Sequence, residues 1–400
     1  MSDPSGTVVI TGIGVASPYG LGLGLLQAGL LASQCRLGPL AGFSPGFAAT
    51  VAEYPGVLPD AGPAGRALSR TDRLAIAAAR DAGGVLEPDA VRECGVVMAT
   101  TVAGLSELPP ELVADPAAWY RAGGLERAAT YPVASVAEAV GDAVGARGPR
   151  CAVNVACASG AIAIALAAQL CLEGAAPAML AGGSDALCPF TLSGFHSLQA
   201  LDPGPCRPFD VRRRGLNIGE GAAVLRLETL ERAHARSAPV LAVLRGWAMT
   251  NDGYHLTAPH ERGLGLAACM LEAMRAAGAG PDEIGYVNAH GTGTLLNDVA
   301  ESRAYAAAFS GRARPMPVSS TKSYFGHCLG AAGALEAAVT VIAIRRGALF
   351  PTLRLGHPVE CPEVDWLMGG VRRQALPAAM SVSAGFGGSN AALVFGEYQA

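Results

Sequence analysis

The 400-residue chain is short of charge. Only 16% of its residues are Asp, Glu, Lys or Arg, and 29 basic residues against 33 acidic ones give a formal net charge of −4. Without a cationic excess it has no broad basic surface for a phosphate backbone, which disfavours nucleic-acid binding. Hydrophobic residues make up 51%, the reverse of the balance found in disordered chains. Its 10 cysteines include no CxxC pair, and no His completes a zinc knuckle, so the residues predict no metal site. There is no HExxH and no Walker loop. Gly12-Ile13-Gly14 follows a strand-like run, but Ser17 stands where GxGxxG needs its last glycine, and no acidic ribose ligand follows. No short-period repeat and no long low-complexity linker is present, which favours one compact body over separate beads.

Apolar sequence is plentiful. Mean hydropathy is +0.33. Thr11–Cys35 and Cys151–Leu172 carry no charge at all, and each is long enough to span a bilayer, which takes about 20 apolar residues. The first stretch, however, holds Gly12, Gly14, Gly20, Gly22, Gly24, Gly29 and Pro18, which suit turns and close packing. The second reads as a strand, a polar elbow and an Ala-rich helix. Neither is expected to cross a membrane. Most cysteines lie in apolar runs, as reduced, buried thiols do in a reducing compartment. Met1–Gly6 has no basic residue ahead of the apolar run and so lacks the positive region of a secretory signal. These features predict a cytoplasmic protein.

Strand-like runs alternate with Ala-rich helical stretches, the pattern of an α/β fold. Thr7–Gly12 reads as a first strand followed by a Gly-rich turn, Arg73–Gly83 as a helix and Cys94–Thr100 as a buried strand. Pro109–Ala146 is the least regular section. Arg150–Val155 reads as a strand running into a helix from Ser159 to Leu172, followed by strands at Ala178–Ala181 and Gly221–Leu227 and a helix at Glu228–Arg236. A second series has strands at Val240–Trp247, Ile284–Asn288, Pro317–Ser320, Ala379–Ser383 and Ala391–Phe395. Its helices are Leu264–Ala277, Glu301–Phe309 and Gly330–Arg346. VNVACASGAIAIALAA in the first series and SSTKSYFGHCLGAAGALEAA in the second share the order strand, polar elbow, Ala-rich helix. This predicts a duplication into halves 1–237 and 238–400, with a boundary near Ser237–Pro239.

Four short segments carry chemistry. Cys157, in Ala156-Cys157-Ala158-Ser159-Gly160, sits at a strand-to-helix junction. A helix N-terminus favours thiolate and aims N–H groups at a nearby oxyanion; a small core thiol is the alternative. His290, in Asn288-Ala289-His290-Gly291-Thr292-Gly293-Thr294, follows a strand where α/β folds place ligands; a structural His is the alternative. Lys322 and His327 lie five apart before a helix. A Lys near two His holds them neutral; a surface Lys and a capping His are the alternative. Gly385-Phe386-Gly387-Gly388-Ser389-Asn390 can bring backbone N–H groups close to a ligand, or simply join two strands.

In this order, these segments resemble the β-ketoacyl-acyl-carrier-protein synthases of the elongating, Cys-His-His type. The resemblance runs from ITGIGVASPYG to SAGFGGSNAALVF and includes CRPFDVRRRGLNIGEGAAVLRLE (Cys206–Glu228). It implies a thiolase-like fold: a duplicated αβαβα layering with two central mixed sheets. It implies an acyltransferase that joins an acyl chain on Cys157 to malonyl-acyl-carrier protein by decarboxylative Claisen condensation, in fatty acid or type II polyketide synthesis. His290 and His327 would act on the malonyl thioester, with Lys322 and Glu336 organising their electrostatics. The N–H groups of Cys157 and Phe386 would form the oxyanion hole, Gly385, Phe386 and Gly387 the gate, and Thr292, Thr294, Ala384 and Asn390 would contact substrate. Asp298 and Glu301 would order the loop after His290. No resident cofactor is implied; the phosphopantetheine arm comes with the carrier protein. The partners implied are acyl carrier protein and a second copy or a ketosynthase-like paralogue.

Some positions depart from the family pattern. Ala384 replaces a Phe before the gate, which points to a wider acyl entrance and a polyene-type polyketide chain. Leu295 replaces a common Pro. Gln199 stands where many members carry a basic residue, leaving Arg66, Arg70 and Arg73, or Arg212–Arg214, as candidates for docking an acidic carrier protein. A chain-length-factor-like subunit would lack the nucleophile, whereas Cys157, both His and Lys322 are present. A thiolase would carry a second Cys in the C-terminal glycine turn, and an initiating synthase a Cys-His-Asn set. An acyltransferase on the same fold needs only Cys157 and an oxyanion hole.

Overall fold

The computed structural model describes residues 6–58, 66–83, 93–108, 115–122, 124 and 128–399. The readings of Met1–Gly6 and of the irregular Pro109–Ala146 section therefore fall partly outside the described residues. Strands β1 (Val8–Ser17), β2 (Gly95–Ala99), β3 (Arg150–Val153), β4 (Ala178–Asp185) and β5 (Gly221–Thr229) come from the first half of the sequence. Strands β6 (Ala242–Asn251), β7 (Val287–Asn288), β8 (Met316–Ser319), β9 (Val364–Trp366), β10 (Ala378–Gly385) and β11 (Ser389–Gly396) come from the second. The path across them is β9-β8-β7-β10-β11-β6-β1-β5-β4-β2-β3. The two expected sheets meet edge to edge, because β1 pairs antiparallel with β6 at Val8 with Leu244 and Ile10 with Ala242. Pairing is mixed: β2 is parallel to β3 and β4, and β7 to β8 and β10, while β1 with β5 and β10 with β11 are antiparallel.

Helices α1 (Arg70–Gly83), α2 (Ala134–Val144), α3 (Ser159–Leu172), α4 (Pro189–Ser197), α5 (Leu264–Ala276), α6 (Leu295–Ala308) and α7 (Ala332–Arg346) dress these strands. Three apolar clusters show the layers. One joins α1 and α2 to one face of β2, β4 and β5. Another joins α5 and α6 to β7, β8, β10 and β11. The largest holds α3 and α7 between the two sets of strands. A helix covered on all sides needs no polar face, and 0–4% exposure from Ala332 to Ile344 fits that position. The uncharged stretch at Cys151–Leu172 is therefore a strand, an elbow and a helix that is mostly buried, with Gln169 and Leu172 exposed. Among the described residues no helix is long and apolar enough to cross a membrane.

Small residues set the spacing. A Cβ on Gly160 would lie 2.7 Å from the Gly330 oxygen, and one on Gly333 would lie 2.6 Å from the Ala161 nitrogen, so α3 and α7 approach backbone to backbone. The first strand is longer than the sequence suggests. Gly12 and Gly14 do not form a turn: they continue β1 under α1, where a Cβ on Gly14 would meet the Ala78 oxygen at 1.9 Å. The irregular section contains α2, whose C-terminus is closed by Gly145 at φ 72. Helix α6 starts at Leu295, before the expected Glu301. Strand β5 runs to Thr229, whose hydroxyl then caps the next helix by accepting from the Arg232 N–H.

Gly14→Ala is expected to lower stability by about 2 kcal/mol or more, because backbone must move to admit the methyl group. Gly24→Ala, where nothing lies within 4 Å of the new Cβ, should gain roughly 0.5 kcal/mol in the helix Leu23–Leu31. Guanidinium unfolding midpoints moving in opposite directions would bear this out; equal midpoints would refute it.

Candidate active site

The elbow at Cys157 is built from local hydrogen bonds. Strand β3 ends at Val153, and Ala156 adopts φ 48, the left-handed region that a non-glycine residue enters at a cost of about 1–2 kcal/mol. The Ser159 hydroxyl holds the turn, accepting from the Val155 N–H at 2.7 Å and donating to the Ala156 carbonyl. Cys157 then stands just ahead of α3, 8% exposed. The end of β10 runs beside it. A Cβ on Gly385 would be 3.1 Å from both the Cys157 nitrogen and the Val155 oxygen, so a larger residue would press on the elbow that Phe386 sits beside. Phe386 is 38% exposed, and its ring centroid is 5.7 Å from that of Phe195 on α4.

His290 follows the two-residue strand β7. Its N–H and that of Gly291 each donate to the Glu301 carboxylate at 2.7 Å, and the Gly293 N–H donates to Asp298 at 3.1 Å. Acidic side chains on α6 thus fix the loop, as expected of Asp298 and Glu301. His327 lies after a short helical turn, Lys322–Phe325. Its N–H donates to the Asn217 carbonyl at 2.7 Å, and its own carbonyl accepts from the Gly219 N–H at 3.0 Å. The two imidazoles meet edge to face, with centroids 5.3 Å apart and an interplanar angle of 87°. Beneath them the Lys322 ammonium donates to the His290 carbonyl at 2.6 Å, lies 3.4 Å from His290 Nδ1 and forms an ion pair with Glu336. An ammonium can only donate, so His290 accepts at Nδ1 and carries its proton on Nε2.

Burial and then the Lys322 charge hold both imidazoles well below the usual range, so they stay neutral. Burial also lifts Glu336 to about 7 against the pull of Lys322, and Glu301 to about 7. The thiol departs from expectation. Burial pushes Cys157 up to about 12, Lys322 opposes this, and Asp185 and Glu336 add to it. Burial therefore favours the protonated thiol over the thiolate expected at the helix N-terminus.

A cleft of about 280 Å³ collects Cys157, His290, His327, Thr292, Thr294, Ala384, Gly385, Phe386 and Asn390. The Thr292 and Thr294 hydroxyls are 2.9 Å apart, and Asn390 donates to Asp252 at 2.9 Å. Lys322 and Glu336 lie behind this lining. Gly387 is not part of it: its N–H donates to the Leu256 carbonyl at 2.7 Å. Of the arginines considered for docking, Arg66 pairs with Asp142, Arg70 with the buried Glu220, and Arg213 is itself buried. Sequence reasoning missed Asp185, whose carboxylate accepts from Thr100, Thr101, Val102 and Gly330 and so ties the loop after β2 to the turn before α7. Its place at the carboxyl end of β4 was the available signal. Phe195, facing Phe386, was missed as well.

Residues 61–233 match the family model described as beta-ketoacyl synthase, N-terminal domain, and residues 241–356 match beta-ketoacyl synthase, C-terminal domain. A 3-oxoacyl-[acyl-carrier-protein] synthase 2 from Synechocystis is 34% identical over 415 residues, spanning 98% of each chain. Among solved structures, the ishigamide ketosynthase/chain length factor superposes with a TM-score of 0.90 at 30% identity, covering 98% of this chain and 99% of that one. A ketosynthase in complex with its chain length factor from Xenorhabdus doucetiae gives a TM-score of 0.87 at 29% identity, covering 100% of both chains.

With the thiol protonated at rest, alkylation of Cys157 by iodoacetamide should climb about tenfold per pH unit from roughly pH 7 to roughly pH 9. Lys322→Met should slow it at every pH, since the charge that favours thiolate is lost. Peptide mapping of the labelled protein measures both; a rate that is flat above neutrality would contradict the protonated resting state.

Proposed function

Because the chain belongs to the β-ketoacyl synthase family, we propose that it condenses an acyl chain held on Cys157 with malonyl-acyl-carrier protein, releasing carbon dioxide and a β-ketoacyl-carrier protein. The observation that supports this most is the convergence of one thiol and two neutral imidazoles in a single cleft over a buried Lys–Glu pair. In the first half-reaction the Cys157 sulfur attacks the acyl thioester carbonyl. The carrier's C–S bond breaks, and the thiol proton leaves with the carrier thiol. The N–H groups of Cys157 and Phe386 serve as the oxyanion hole, which in comparable sites contributes about 3–4 kcal/mol.

In the second half-reaction the malonyl C–C bond to its carboxylate breaks. The developing enolate oxygen is stabilised by N–H donation from neutral imidazole, for which His290 Nε2–H is set up by Lys322 at Nδ1. The carbanion forms a new C–C bond at the acyl carbonyl, Cys157 departs as thiolate, and a solvent proton restores the thiol. Neutral rather than charged imidazoles suit this step, because a malonyl carboxylate fixed by an imidazolium would resist leaving as carbon dioxide. Lys322 and Glu336 act through His290 as positioning residues, and Thr292 and Thr294 take the malonyl end.

The phosphopantetheine arm arrives with the carrier protein as part of the substrate. The chain works with a second ketosynthase-like subunit, a copy of itself or a paralogue, and we place it in the cytoplasm as two duplicated halves, 1–237 and 238–400. A chain-length-factor role is less supported, since the nucleophile and both imidazoles are intact. Ala384, on the cleft wall beside Phe386, leaves room where a second ring would stand. We therefore take the acyl chain to be bulky or unsaturated, a polyene-type polyketide intermediate.

Cys157→Gln should abolish the acyl-enzyme seen by intact mass while still releasing carbon dioxide from malonyl-carrier protein. His327→Ala should lower that release about 100-fold. Acyl transfer without decarboxylation in the unmodified enzyme would sink the condensing role and leave an acyltransferase. Ala384→Phe should reduce kcat/KM for long unsaturated chains about tenfold relative to short saturated ones. An unchanged ratio would remove the argument for a polyene-type substrate.

A further inference from the structure

Three consecutive arginines leave one loop and reach three different settings. Arg212 grips the buried Asp210 twice, from Nε at 2.9 Å and from Nη2 at 3.1 Å. Arg213 is buried and donates to the Thr294 carbonyl at 3.0 Å and the Leu295 carbonyl at 2.7 Å, bracing the loop that carries Thr292. Arg214 keeps 59% of its side chain exposed, and among the described residues it is the one Lys or Arg lining the cleft that holds Cys157.

The Arg214 guanidinium is held at one edge. Its Nη2 donates to Oδ1 of Asp202 at 3.1 Å, and Asp202 is only 2% exposed. The Asp202 N–H donates to the Leu216 carbonyl at 2.8 Å, and the Leu216 N–H to the Ala200 carbonyl at 2.8 Å. This short ladder puts Arg214 beside Gln199 on one wall of the cleft. Among the described residues the rest of the guanidinium makes no hydrogen bond, which leaves its other N–H donors available on the cleft lining. The carboxylate on the same lining, Asp252, is already engaged by Asn390 and by the His260 N–H.

We infer that Arg214 binds the phosphate of the thioester arm that delivers acyl chains to Cys157. This rests on the reading above that chains arrive on phosphopantetheine. The arm's amides and hydroxyl are neutral, and its phosphate is the anion that trails toward solvent when the thioester reaches Cys157. A guanidinium fixed at one edge and open at the other matches a phosphate ester by paired N–H donors, which a lysine ammonium cannot reproduce.

The test follows acylation of Cys157 by intact mass, using one acyl chain presented on free phosphopantetheine, on pantetheine without phosphate, and on the carrier protein. In Arg214→Gln, the ratio of kcat/KM for the phosphorylated over the unphosphorylated arm should fall about tenfold. Arg214→Lys should fall between the two. An unchanged ratio overturns the assignment. So does a loss confined to the carrier-protein substrate, which would mean that Arg214 meets an acidic protein surface instead. If the unmodified enzyme is acylated from none of the three, the proposed function fails and this inference with it; acylation from all three with an unchanged ratio defeats the inference alone.

Discussion

The site is organised around a single buried positive charge. Lys322 lies 1% exposed and Glu336 0%, and water does nothing to soften their interaction. From that position the ammonium grips the His290 carbonyl, touches its Nδ1 and pairs with a carboxylate on α7. It thus joins the loop after β7, the turn after β8 and the central helix. After burial, its charge also helps keep both imidazoles uncharged, which is the protonation state the proposed chemistry needs. A buried ion pair is weak evidence of stability in its own right, since desolvation can exceed the Coulombic gain. Here its value lies in position: the same charge that is costly to bury sets the tautomer of His290.

Desolvation has opposite effects on the two kinds of reacting group. It keeps the imidazoles neutral, which helps them donate, and it keeps the thiol protonated, which holds back the nucleophile. The cleft therefore rests with its thiol protonated and its imidazoles neutral. Acyl transfer requires the thiol proton to leave as the substrate arrives, so attack is tied to occupancy of the site.

The sequence showed more of the site than of its energetics. Their places after strands made Cys157, His290 and His327 legible only as candidates, each with a structural alternative, and the resemblance to the β-ketoacyl synthases implied their roles. Gly387 was misplaced because its N–H is taken by Leu256, a contact between segments far apart in the chain. The length of β1 was misjudged because glycine usually signals a turn, whereas Gly12 and Gly14 are there to admit α1. The state of the Cys157 thiol was also out of reach, since it depends on how much water the assembled cleft excludes. Arg212, Arg213 and Arg214 make the same point: identical side chains whose roles diverge only once their neighbours are known.

The close contact between α3 and α7 bears on how such a protein can change over time. Cys157 precedes one of these helices and His327 the other, and backbone atoms meet where Gly160 and Gly333 cross. Any larger residue there would push the nucleophile away from its partner. Substitution at Gly160 and Gly333 is therefore limited by geometry. Ala384, Phe195, Gln199 and Arg214 line the cleft away from that crossing. A substitution there changes what the acyl chain and its arm meet and leaves the contact between α3 and α7 untouched.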